Sequence, residues 1–336
     1  MASSAEQFAS SFNFGALSKA ADLKKRIWFT LAALVVYRLG TYIPIPGIDP
    51  AVLKEIFDQN AGGILGMFDM FAGGALGRMT IFALNIMPYI SAAIIMQLMT
   101  AVSPNLDTLK KEGEAGRKKI NQYTRYLTVL LAAVQAYGIS VGLENMASGG
   151  GAAVVNPGLF FRATTVITLV GGTVFLMWLG EQITARGIGN GISLIIFAGI
   201  VANLPQALAG TLELGRTGAL SAAFIVLLLL MAIAVIAFIV FIERSQRKIT
   251  VQYPKRQMGN KMTGGESSHL PLKLNVSGVI PPIFASSILL MPVTFAQFSA
   301  SGGGPEWLTT VNALLGRGQP LYLAVYIGLI VFFAFF

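Results

Sequence analysis

Eight apolar runs punctuate the chain, at about 27–43, 79–101, 123–142, 161–184, 188–204, 219–242, 275–298 and 320–336. Most approach the ~20 residues an α-helix needs to cross a hydrocarbon layer. The pattern predicts an all-α, polytopic membrane protein. One stretch between the first two runs breaks the rhythm: Gly62-Gly63-Ile64-Leu65-Gly66-Met67-Phe68-Asp69-Met70-Phe71-Ala72-Gly73-Gly74-Ala75-Leu76-Gly77. It is apolar, yet too short and too interrupted by glycine to span. Irregular backbone cannot face lipid, where each unpaired amide costs several kcal/mol. The stretch therefore either lies on the outer surface or folds back into a protein-lined cavity, and both readings stand. Its Met and Phe content suits a conformable packing element.

Composition agrees with the pattern. Hydrophobic residues make up 54% of the 336 positions and charged residues 12%, against about 25% charged in soluble domains. The chain has no cysteine and one histidine, His269, which excludes disulfides and thiolate chemistry. Residues 1–26 are polar and end in Lys24-Lys25-Arg26, like the start of a signal peptide. The run that follows carries Arg38 and passes into Tyr42-Ile43-Pro44-Ile45-Pro46-Gly47 with no small-x-small cleavage site. It reads as the first spanning helix.

Charge sets the orientation. With the N-terminus inside, alternating sides place 18 basic residues in cytoplasmic segments and 5 in outer loops, with Arg38 inside a helix; the N-terminus is therefore expected to be cytoplasmic. For the loop 102–125, the rule alone and a further role for its charges both stand open. The loop 243–273 carries seven basic residues, Arg247, Lys248, Lys255 and Arg256 among them, against two acids. Such a loop is expected to dock an acidic or ribonucleoprotein partner.

Little in the helices suggests chemistry. Arg38 alone reads as clearly mid-helix and Glu181 lies near a helix end; no intramembrane carboxylate pair, H-E-x-x-H, G-x-S-x-G, P-loop or dinucleotide fingerprint is present. Gly187-Ile188-Gly189-Asn190-Gly191 reads as a tight turn between two spanning helices. No metal, cofactor or catalytic residue is expected. Pro88, and Pro281-Pro282 with Pro292, are expected to kink the second and seventh helices. Beside them stand isoleucines at one-turn spacing: Ile86 and Ile90, Ile192 and Ile196, then Ile283. Spacing alone leaves lipid-facing, core and pore roles open.

Several segments resemble the SecY family of protein-translocase channel subunits: Ile81 to Ser91, Met177 to Gln182 continuing through Gly189 to Ser193, Tyr42 to Gly47, and Pro271 to Ser287. The matches occur in the family's order over roughly residues 20–336. The resemblance implies two pseudo-symmetric five-helix halves, the first at 27–204 after a cytoplasmic segment 1–26. The second, at 205–336, is incomplete in this chain. It implies that Ile86, Ile90, Ile192, Ile196 and Ile283 form a pore ring. It also implies a plug at about 62–77 that includes Ile64, Leu65, Met67, Phe68, Met70 and Phe71. Ser91 and Met291 would flank a lateral gate where signal sequences leave for the lipid. Arg247, Lys248, Lys255 and Arg256 would meet the motor ATPase SecA or the ribosome, with SecE and SecG as membrane partners. Translocating polypeptides are the implied substrates and a bacterial plasma membrane the implied location. The family has ten helices, and the apolar run 320–336 ends without a polar flank, so a truncated chain is expected. The doubled proline at 281–282 departs from many relatives.

Two other readings remain. A secondary transporter with inverted repeats would need a coupling site near the midplane, and none is evident. A helix-holding assembly protein has only Gly138-x-x-x-Gly142 in its favour.

The 18-to-5 asymmetry is testable. A chain carrying Lys255→Cys as its one cysteine is expected to resist an impermeant maleimide in intact cells and to label after permeabilisation. Labelling in intact cells reverses the topology.

Overall fold

The computed structural model describes residues 21–50, 52–53, 69, 72–144, 147–148, 151–252, 256–258, 261–263, 267–275, 278, 281–282, 284–286, 288–289 and 319–335. It divides into two compact units, residues 1–205 with 284–328, and residues 206–283 with 329–336.

In the first unit, α1 (Ala21–Gly40) leads to the turns at 41–47. After the buried turns at 72–86 come α2 (Met87–Val102), α3 (Pro104–Lys111) and α4 (Glu114–Glu144). A minimal hairpin, β1 (Ala147–Ser148) with β2 (Gly151–Ala152), joins α4 to α5 (Leu159–Arg186), and α6 (Gly191–Ala202) follows. Small residues let these helices approach closely. The buried stripe of α4 is Thr124, Thr128, Ala132, Ala136 and Ser140, spaced four apart, and α4 packs on both α2 and α5. The buried stripe of α6 is Gly191, Ile195 and Gly199. A Cβ on Gly191 would strike the Gly180 carbonyl of α5, so α6 can lie against α5 only with glycine there. Asn190 starts α6: its Oδ1 accepts from the Ile192 N–H at 3.1 Å and the Ser193 N–H at 3.5 Å.

The second apolar run differs from the sequence expectation. Its helix begins at Met87, not near 79, and residues 79–86 form a chain of turns. Pro88 therefore sits in the first helical turn and kinks nothing there, because its missing N–H falls where a helix has none to bond. The helix cannot extend backwards: Met79 and Asn85 take left-handed backbone conformations, with φ of 42° and 49°. At its other end, Pro104 starts α3 at a 99° bend from α2, so the loop expected at 102–125 is mostly helical.

Two ion pairs tie α4 to the α5 region. Arg125 grips Glu181 bidentately, Nε to Oε1 at 3.0 Å and Nη2 to Oε2 at 2.8 Å. At the opposite end of α4, Glu144 accepts from Arg162 and from the Gly158 N–H.

In the second unit, α7 (Leu204–Arg216, from Gln206 on) precedes α8 (Ala222–Arg244), which Ser221 caps by accepting from the Phe224 N–H. No residue of α8 is buried. Its 23 residues, about 35 Å long, present apolar side chains all round, as a lipid-facing helix does. A two-stranded antiparallel ribbon follows, β3 (Gln246–Gln252) with β6 (Ser267–Lys273), with a second pair, β4 (Arg256–Met258) with β5 (Lys261–Thr263), between them in sequence. The last helix, α9 (Pro320–Phe335), is apolar and 16 residues long; its residues up to Gly328 belong to the first unit and those from Leu329 on to the second.

Among the described residues, four helical stretches are long and apolar enough to cross a membrane: α4, α5, α6 continued through α7, and α8. The bent α2–α3 pair makes a fifth if counted as one span. The protein is a multi-pass membrane protein.

The glycine at 172 shows how tightly the turns at 79–86 pack. A Cβ there would collide with the Ile81 carbonyl, whereas one on Gly171 meets open space. Gly172→Ala is expected to destabilise the folded protein by about 1–3 kcal/mol, read as a lowered midpoint of thermal unfolding in detergent. Gly171→Ala is the control and should leave the midpoint unchanged or slightly raised.

Candidate functional site

Four of the five candidate ring isoleucines lie at the starts of two helices. Ile86 is the N-cap residue of α2 and is 1% exposed; Ile90 lies one turn on, its N–H donating to the Ile86 carbonyl at 3.1 Å. Ile192 and Ile196 occupy the first two turns of α6 and are half-buried, beside the buried stripe of that helix. A Cβ built on Gly180 would come within 3.0 Å of Ile192 Cγ1, which places Ile192 against α5. Ser91, the gate candidate on α2, is buried. Ile283, Met291, Pro292 and the plug candidates Ile64, Leu65, Met67, Phe68, Met70 and Phe71 lie outside the described residues.

The end of the glycine-rich stretch is described, and it folds into protein. Ala72, Gly73, Ala75, Leu76, Met79 and Thr80 are buried. Its backbone groups find partners locally: the Gly74 N–H donates to the Asp69 carbonyl at 2.9 Å, Gly77 N–H to Asp69 Oδ1 at 2.6 Å, and Thr80 N–H to the Ala75 carbonyl at 3.0 Å. It also pairs with the turns after α1, Ile45 N–H to the Met79 carbonyl at 2.9 Å and Ile81 N–H to the Ile43 carbonyl at 3.0 Å. Of the two readings left open for this stretch, residues 72–77 take the protein-lined one. Phe82 fills the notch at Gly40 and stacks between Tyr37 and Phe175, at centroid distances of 6.2 and 5.9 Å. A Cβ on Gly73 would come within 3.0 Å of the Gly199 carbonyl oxygen, so this backbone touches α6 about one turn beyond Ile196.

The charges near this backbone escaped the sequence reading. Arg38 lies in the last turn of α1, not in mid-helix, and donates to the Gly73 carbonyl at 2.9 Å and to the Tyr42 hydroxyl at 3.0 Å. Arg78 donates from Nε to the Gly74 carbonyl at 2.8 Å and from Nη2 to the Gly73 carbonyl at 3.2 Å. Both guanidiniums stack on the Tyr42 ring, at 5.0 and 4.3 Å from its centre. Only the doubled glycine hinted at this arrangement: Gly73 and Gly74 have φ of 66° and 81°, which favour glycine.

The basic loop has more structure than its charge suggested. Strand alternation puts Arg247 and Ile249 on one face of the ribbon, opposite Leu272 and Leu270. Ile249, Leu270 and Leu272 are 42%, 52% and 44% exposed. Lys248 and Thr250 face the other way, opposite Pro271 and His269. The ribbon's base is fastened by the Leu274 N–H to the Ser245 carbonyl at 3.1 Å and by Asn275 Nδ2 to Glu243 Oε1 at 2.7 Å. Lys255 and the side chain of Arg256 lie outside the described residues.

A family model described as SecY matches residues 80–336. The chain belongs to the SecY family. A protein translocase subunit SecY of Rickettsia conorii is 57% identical over 315 residues, spanning 94% of this chain and 72% of that protein. Solved structures share the fold. A protein conducting channel aligns with a TM-score of 0.65 at 18% identity, over 93% of this chain and 71% of that one. Sec61 in a canine ribosome–channel complex of the endoplasmic reticulum aligns with a TM-score of 0.59 at 20% identity, over 84% and 60%. Glu181 and Glu144 are each gripped by an arginine.

Proposed function

We propose that this chain is the channel subunit of a protein translocase in a bacterial plasma membrane, with its N-terminus in the cytoplasm. It passes unfolded secretory polypeptides across the membrane and releases hydrophobic segments sideways into lipid. The observation that carries this reading is 57% identity over 94% of the chain to a protein translocase subunit SecY. Residues 27–204 form one half of the channel and 205–336 part of the other. SecE and SecG are its membrane partners, and no cofactor takes part.

Physical chemistry supports the assignment of parts. A conduit for any polypeptide must not bind it strongly, and an aliphatic collar offers no hydrogen bonds to hold a passing chain. The same collar resists ions by dewetting. Ile86, Ile90, Ile192, Ile196 and Ile283 form this collar, and the stretch about 62–77 seals it from the outer side. Ser91 and Met291 stand on the two sides of the lateral gate. The ribbon around Arg247, Lys248, Lys255 and Arg256 docks the motor SecA and the ribosome, a reading supported by its charge and by the ribosome-bound state of the canine neighbour.

The docking assignment predicts that Lys255→Glu with Arg256→Glu weakens binding to motor or ribosome and flattens its salt dependence. Unchanged affinity across a salt series removes the assignment.

The seal is tested by planar-bilayer conductance of the assembled channel. Replacing several of the five isoleucines with serine is expected to raise resting ion conductance while secretion survives better than the seal. Deleting residues 62–72 is also expected to raise it. A serine variant that inserts normally and stays as tight as the parent excludes these isoleucines as the constriction.

A further inference from the structure

We infer that Arg38, Tyr42 and Arg78 form a clamp that anchors the backbone at Gly73, fixing the inner end of the proposed plug; this rests on the plug reading above. Two guanidiniums converge on one backbone carbonyl, that of Gly73, and Arg78 also takes the next, that of Gly74. Among the described residues, neither arginine has a carboxylate within ion-pair distance. Their donors are directed to backbone, and charge-assisted hydrogen bonds of this kind are the stronger class. Tyr42 serves both guanidiniums: its ring centre lies 5.0 Å from Arg38 Cζ and 4.3 Å from Arg78 Cζ, and its hydroxyl accepts from Arg38 at 3.0 Å.

The clamp occupies a decisive place in the chain. Gly73 and Gly74 are left-handed, so their carbonyls turn out of the local pattern of turns and need partners from elsewhere. Gly73 also rests on the backbone of Gly199 in α6. The other end of the segment is strapped too: Asp49 N–H donates to the Ala153 carbonyl and Val155 N–H to the Gly47 carbonyl, both at 3.0 Å, and Leu53 is fully buried. Two fixed points thus stand in the described chain, one at 47–53 and one at Asp69–Gly77. The arginine clamp sets where the second point lies relative to α6, the helix that carries Ile192 and Ile196.

A fork is required, and charge alone does not suffice. Arg78 bonds two successive carbonyls through Nε and Nη2, which a lysine ammonium cannot reproduce with one point of charge. Lysine at position 78 therefore separates a geometric clamp from simple electrostatics.

The test uses the full-length channel with its membrane partners and two readouts. Hydrogen exchange of a peptide covering 69–80 reports the clamp directly, because the Gly74, Gly77 and Thr80 amides are bonded within it. Arg38→Gln with Arg78→Gln, and Arg78→Lys alone, are each expected to speed exchange there by about tenfold or more. They are also expected to raise resting conductance while secretion continues, which shows that the channel has folded. Unchanged exchange in both variants overturns the clamp, whatever the conductance. Arg78→Lys matching the parent while the double glutamine variant exchanges faster and leaks also overturns it, since charge then suffices. Faster exchange with parental conductance means that the contact holds the backbone but not the seal, which overturns the functional inference. Deletion of 62–72 keeps the two readings apart: if the deletion does not leak, the plug reading fails, while the exchange result still decides the clamp.

Discussion

Backbone that is not helical can survive at membrane depth only if protein satisfies every amide, and residues 72–86 are where this chain meets that constraint. The N–H groups of Gly74, Ala75, Met79, Thr80, Ala83 and Asn85 turn back on carbonyls three to five residues earlier, that of Gly77 on the Asp69 carboxylate and that of Ile81 on the Ile43 carbonyl, while the Met79 carbonyl accepts from Ile45. The carbonyls that the left-handed glycines turn away are collected by arginine. The neighbouring helices are shaped to receive this strand of turns. Gly40 of α1 and Gly172 of α5 leave notches that a single methyl would close, and Phe82 and the Ile81 backbone occupy them. The start of α2 depends on the same segment, since Asn85 in a left-handed conformation ends the turns and Pro88 can only open a helix.

Charge follows from the same constraint. Buried or half-buried ions survive in an apolar layer only with partners, and each one described here has found one suited to its position. Glu181 and Glu144 pin α4 at two levels to the α5 region through bidentate arginines. Arg38 and Arg78 are matched to carbonyls. None of these groups stands ready to bind an ion or move a proton. That fits a conduit better than a pump, for which intramembrane charge is working equipment.

How much of this was legible in the sequence depends on what hydropathy measures. It reads the apolar layer, so the positions of α5, α6 and α8 were readable to within a few residues. It does not read where a helix leaves the layer: α4 begins at Glu114, well before the apolar run, because Glu114–Gln122 continues the helix with polar residues. It is also blind to φ. Nothing in Ile81-Phe82-Ala83-Leu84 signals turns, and the decisive conformations belong to Met79 and Asn85, residue types that adopt many others. The ribbon was hidden because seven basic residues dominate its composition, while Ile249 and Leu270 reveal a face only once the strand register is known. Of the site, the four described isoleucines were picked out by one-turn spacing beside prolines, which showed neither that they stand at helix starts nor what they do; only resemblance gave them a role. Arg38 was misjudged because counting along α1 cannot show that its side chain reaches beyond the helix end.

The two parts of the proposed seal are joined by one stretch of backbone. Ile86 is the last residue before α2, with φ of −96° and ψ of 5°, and its place is set by the turns that begin at Gly73. Those turns are keyed to α5 at Gly172 and to α6 at Gly199. A shift at Gly73 is therefore passed in one direction toward the plug and in the other toward the first collar residue. Close-packed backbone against glycine has no soft side chain to absorb such a shift. The helix carrying Ile192 and Ile196 is referenced to the same glycine contact. The proposed collar and plug need not be tuned separately, because the described turns from Gly73 to Ile86 run between them in the chain.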